Sequence, residues 1–100
     1  MTEERTDRER PGERVEAEVS AAAGRPEEVR VSQGDQLALV VETERPAEIA
    51  VPDFGLIEFA EPGAPARFDM LIDRDGRFEV TAERRGTVAA IVAERAKRQS

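Results

Sequence analysis

The residues whose spacing comes nearest to a known chemistry are Asp73, Asp75 and Gly76, in the stretch DRDGRFEV (residues 73–80). Two carboxylates two positions apart, followed by glycine, resemble the middle of a calcium-binding EF-hand loop. That loop needs oxygen ligands at its first, third and fifth positions, glycine at the sixth and glutamate at the twelfth. With Gly76 sixth, Asp75 and Asp73 fall fifth and third, but Leu71 falls first and Ala82 twelfth. Neither supplies an oxygen, and the flanks alternate like strands where helices are required. DRDG therefore reads as a hairpin connection, with aspartates adapted to turn geometry and Gly76 free to take a positive φ.

The remaining chemistry is limited by what the chain lacks. It has no His, Cys, Trp or Tyr. Without imidazole there is no ordinary general base near neutral pH, and without thiolate there is no soft metal ligand or thiol nucleophile. The formal net charge is -7, so nucleic acid and anionic membrane surfaces are repelled as partners. Carboxylate pairs can do acid–base work alone. Here, however, the acids fall on outward strand positions or in the tails, and no nucleophile elbow, phosphate loop or cofactor fingerprint is present. An enzyme is not expected, and neither is a cofactor or a metal site.

The elements read as an all-β domain between two charged tails. Residues 1–14 are dense in charge and read as a disordered tail, residues 15–94 as the domain, and residues 95–100 as a basic tail. Within the domain, short apolar runs alternate with turn signals. Val15, Ala17 and Val19 share a face, as do Val29 and Val31. Leu37, Leu39 and Val41 face one way with Ala38 and Val40 behind them, so this strand is expected to be central. AEIAV and LIEFA are short strands around PDFG. Phe68, Met70 and Ile72, then Phe78 and Val80, alternate inward against charges. TVAAIVAE fits a strand, with Val88, Ile91 and Val92 also at helical spacing, so that its end is open to turning helical. The whole suggests a Greek-key β-sandwich of about seven to eight strands. No apolar run approaches a membrane span and the N-terminus has no signal-peptide core, so a soluble chain without direct membrane insertion is expected.

The run from Val51 to Val88 resembles the cupredoxin family, nearest the dinuclear copper (CuA) domain of cytochrome c oxidase subunit II. The resemblance rests on Val51-Pro52-Asp53-Phe54, on Pro62-Gly63, and on the Asp73-to-Phe78 hairpin pattern. EVRVSQGDQLALVVET adds the family's opening strands and their V-x-x-G-[DE] turn. Together these cover about three quarters of the chain. The resemblance implies a cupredoxin-like mixed sandwich whose first strands pair in parallel; an immunoglobulin-like module would differ in strand order.

The resemblance also implies where copper ligands belong. Aligned on Gly86, the two cysteine positions fall at Thr81 and Arg85, the loop histidine at Ala89 and the methionine at Val92. The upstream histidine falls at Ala47 or Pro46, and the His-x-His pair of other cupredoxin-like domains at Ala50 and Pro52. None is a copper donor. The expectation is a metal-free cupredoxin-like domain acting as a protein-interaction or structural module, with the resemblance pointing to a respiratory or membrane complex, as for the copper-less subunit II domains of quinol oxidases. The alternative is a copper-binding or electron-transfer protein with a non-standard site. The candidate surface is the copper end of the sandwich, with Phe54, Arg84 and Arg85. Phe54 reads as a core plug in preference to an exposed anchor. An edge strand offers a homodimer contact. Family likeness suggests the outer side of a bacterial membrane; the chain as it stands suggests the cytoplasm.

Overall fold

The computed structural model describes residues 12–22 and 24–96. Of the tails read from sequence as residues 1–14 and 95–100, residues 1–11 and 97–100 lie outside the described residues. Eight strands form: β1 (Arg14–Ser20), β2 (Glu27–Ser32), β3 (Gln36–Glu42), β4 (Ala47–Val51), β5 (Leu56–Ala60), β6 (Ala66–Leu71), β7 (Gly76–Ala82) and β8 (Gly86–Glu94), with a 3₁₀ turn at Pro52–Phe54. They make a three-stranded sheet, β1-β3-β6, facing a five-stranded sheet, β2-β8-β7-β4-β5. β1 pairs with β3 and β2 with β8 in parallel, and the other pairs are antiparallel. This is the mixed pairing of a cupredoxin-like sandwich.

Alternation builds the core. β6 sends Ala66, Phe68 and Met70 inward and Arg67, Asp69 and Leu71 outward. β3 is the central strand of its sheet, and its outer residues Ala38 and Val40 are half-buried. Leu37, Leu39, Ile49, Ile72 and Ile91 are the largest fully enclosed side chains between the layers. β8 stays a strand to Glu94, with no helical end. Its pattern lost alternation because both faces are covered: the Arg77–Glu28 ion pair, 3.1 Å, spans from β7 to β2 across the outer side of β8. Ala90, outward by register, is thereby fully buried.

DRDG is not a hairpin, contrary to the expectation from sequence. β6 and β7 belong to different sheets, so the segment carries the chain from one layer to the other. The backbone is already committed at Ile72, which accepts from Gly34 N–H (2.6 Å) and donates to the Asp35 carbonyl (2.8 Å). β6 therefore cannot turn back on itself.

The turn between β2 and β3 binds this end together. Asp35 is buried, 7% exposed, and its carboxylate accepts from Glu13 N–H (3.0 Å) and Ser32 N–H (2.9 Å). Gln36 N–H donates to the Glu13 carbonyl and Gln33 N–H to that of Glu94. Gly12 lies so close to Gly34 that a Cβ there would collide with its carbonyl. Glu13, read from sequence as part of the N-terminal tail, is thus held against the domain by Asp35. Replacing Asp35 with alanine would leave two part-buried N–H donors without their acceptor. A loss of about 1–3 kcal/mol is expected in urea unfolding, with Asp35→Asn intermediate because it keeps one acceptor.

Candidate functional site

The end of the sandwich opposite Asp35 is open. There the start of β4 meets the β7–β8 turn, around a cavity of about 500 Å³ lined by Ala22, Thr43 to Ala47, and Ala82 to Arg85. The Thr43 hydroxyl donates to the Arg45 carbonyl (2.7 Å) and accepts from Arg45 N–H (3.3 Å). This local turn fixes the approach to Pro46. Across the cavity, Glu83 is taken up by β4: its N–H donates to the Glu48 carbonyl and its carboxylate accepts from Glu48 N–H. Arg84 and Arg85 remain on the tip of the turn. Neither they nor Arg45 form an ion pair among the described residues. The arrangement offers three guanidinium groups beside Glu44 at the mouth of a mixed polar and apolar cavity, chemistry suited to holding an anion.

Arg84 and Arg85 are therefore together, but Phe54 is not with them. Phe54 lies at the Asp35 end, half-buried, its ring edge-on to Phe78 at 5.1 Å. Arg74 lies over both rings, 4.7 Å from the centre of Phe54 and 5.3 Å from that of Phe78. Its guanidinium donates to the Asp53 carbonyl and the Asp73 carboxylate. Phe54 is a partly buried plug under an arginine lid. Sequence reading missed Arg74 because the contact joins segments twenty residues apart. It missed Arg45 because only the fold brings that residue to Arg84 and Arg85.

The positions that align with copper ligands do not supply a donor set. Pro46, Ala47 and Arg85 do line the cavity. Ala89 and Val92 lie inside the β8 ladder, opposite Val80 and Arg77, while Ala50 is paired with Ile57 and Thr81. The turn between β7 and β8 is only Glu83 to Arg85, with no room for a ligand loop. Among the described residues, no three of His, Cys, Asp and Glu are grouped to hold a metal. Alkyl, hydroxyl and guanidinium groups do not fit copper, which is held by imidazole, thiolate and thioether.

One titrating group is displaced. Glu42, at the end of β3, shares a hydrogen bond with the Glu18 carboxylate on β1 and is repelled by its charge, and burial adds a smaller effect; its carboxyl is held above the ordinary value.

No family model and no curated protein sequence matches the chain. Its fold matches solved structures. A copper nitrite reductase from Nitrosomonas europaea is similar with a TM-score of 0.62 and 13% identity, over 82% of this chain and 42% of that one. A chain of a heme-copper terminal oxidase dimer is similar with a TM-score of 0.59 and 13% identity, over 82% of this chain and 65% of that one. A multi-copper oxidase from Pseudomonas thermotolerans gives 0.58 and 17%, over 87% of this chain and 31% of that one. The chain spans less than two thirds of each of these neighbours. The molecule is a cupredoxin-like β-sandwich.

Two measurements follow from this geometry. Arg74→Ala removes a cation–π contact and two hydrogen bonds, so a loss of about 1–2 kcal/mol is expected in urea unfolding, and lysine should restore only part of it. For Glu42, a raised folded-state value means that the proton is bound more tightly in the native state. Its contribution is full below the ordinary carboxyl value and is lost as pH rises through the raised one. Glu42→Gln is accordingly expected to gain stability over the parent as pH rises above the ordinary carboxyl value of about 4, read as a widening gap in melting temperature.

Proposed function

We propose that this domain is a metal-free, non-catalytic interaction module whose open end binds an acidic surface on a partner protein. The observation that carries the reading is the cluster of Arg45, Arg84 and Arg85 around a cavity at the end where cupredoxin-like domains would hold copper. Arg84 strengthens it. Five glycines have positive φ, and Arg84, at 68°, is the non-glycine residue that does so among those described. A left-handed backbone costs an L-residue about 1–2 kcal/mol, which is understandable where the side chain is needed. Likeness to a chain of a heme-copper terminal oxidase dimer supports a place in a respiratory or membrane complex.

Two titrations of the full chain test this. Cu(I) and Cu(II) are expected to bind without one-to-one stoichiometry and without raising the melting temperature; tight one-to-one binding with a raised Tm would favour the copper-carrier reading, since a ligand that prefers the folded state must stabilise it. The second titration uses a peptide of aspartates at low salt, where surface charge is least screened. Arg85→Ala is expected to weaken binding at least several-fold. Arg84→Gly is expected to weaken it while raising stability by about 1 kcal/mol, through relief of the left-handed backbone. Binding unchanged in both variants would remove the arginine end from the proposal.

A further inference from the structure

Among the described residues no strand pairs with the outer edge of β5, which makes a second surface, independent of the arginine end. β5 is the last strand of the five-stranded sheet and pairs with β4 without a bulge. Along an antiparallel strand, alternate residues direct their N–H and C=O groups to one neighbour, so β5 has a set turned away from β4. Its outward side chains are Ile57 and Phe59, 61% and 58% exposed. The other three sheet edges differ. β2 presents Glu28 and Arg30, β1 presents Arg14, Glu16 and Glu18, and β6 presents Arg67 and Asp69 before the exposed Leu71. Charges of this kind discourage added strands. β5 has one charge, Glu58, between its two large apolar groups.

Charge selects the occupant. Residues 46–66 contain Glu48, Asp53, Glu58 and Glu61 and no Lys or Arg. Glu48 stands directly across from Phe59 on β4, and Glu61 follows the strand. The edge is therefore an apolar pair framed by carboxylates. A second copy fits poorly: the antiparallel register that pairs Ile57 with Phe59 in both directions also sets Glu58 against Glu58, and directly opposed like charges are destabilising. We propose that β5 accepts an extended segment of a partner protein in which apolar residues alternate with Lys or Arg. The segment adds as a sixth strand, its apolar side chains against Ile57 and Phe59 and its cations on the opposite face, beside Glu58.

The test uses the ¹⁵N-labelled full chain and a capped octapeptide alternating valine and lysine, with a valine–glutamate octapeptide as control. Shifts are expected in the amides of residues 56–60 and in β4, with binding weakened by salt and at least tenfold by Phe59→Lys. Phe59 is exposed, so that variant is expected to keep the parent's Tm, and Arg85→Ala should leave this binding intact. Equal binding of the valine–glutamate peptide, or shifts confined to other elements, would overturn the proposal. Self-association in sedimentation equilibrium that Phe59→Lys abolishes would also overturn it, in favour of a second copy. Loss of acidic-peptide binding at the open end leaves this outcome untouched, so the two readings fail separately.

Discussion

The carboxylate of Asp35 is the contact on which the layers depend. It accepts one N–H from the approach to β1, in the three-stranded sheet, and one from the end of β2, in the five-stranded sheet. Its own carbonyl takes the N–H of Ile72, where the chain leaves β6, and its neighbour Gln33 takes the carbonyl of Glu94 at the end of β8. Five strands are thereby fixed at one end by one turn. Hydrogen bonds to an ionised acceptor are stronger than neutral ones, more so when water is excluded. The parallel pairs β1–β3 and β2–β8 cannot be joined by tight hairpins, so their register depends on contacts of this kind.

This knot makes the two ends of the sandwich unlike. At the Asp35 end, Phe54 and Phe78 are covered by Arg74 and the crossing segment is tied down. At the other end, short turns surround a cavity, and guanidinium groups project without ion-pair partners among the described residues. Rigidity on one side leaves the other side free to carry side chains chosen for contact instead of packing. Loops held by a rigid sheet scaffold are where binding residues usually lie.

Most of the strand pattern was legible because half-buried strands write their burial as alternation: Ala66, Phe68 and Met70 on β6, with Ile72 just beyond it, and Phe78 and Val80 on β7, need no further context. β8 was harder, since a strand covered on both faces loses that period and resembles a helix. The crossing at DRDG was not legible, because whether two consecutive strands share a sheet depends on partners far away in the chain; the deciding contacts are to Gly34 and Asp35. The candidate site was legible only in its pieces. Arg84 and Arg85 are adjacent in sequence, but Arg45 joins them only through the fold, and Phe54 goes to the other end with Phe78. Exposure of Ile57 and Phe59 was hidden too. LIEFA reads the same whether its strand is an edge or a centre, and sheet order decides which.

The two surfaces meet at β4. Glu48 exchanges hydrogen bonds with Glu83, which begins the turn carrying Arg84 and Arg85, and on its other side it stands opposite Phe59. Charge is segregated across this strand: guanidinium groups cluster beyond its start, while β4 and β5 carry only carboxylates. A partner that placed an acidic surface at the open end and a basic strand along β5 would satisfy both at once. The second contact would then form within an existing complex, where effective concentration replaces dilution and modest affinities combine into a tight one. A domain this acidic overall can still select partners of either sign, because each surface presents its own local charge, and screening confines each field to about 10 Å at moderate salt.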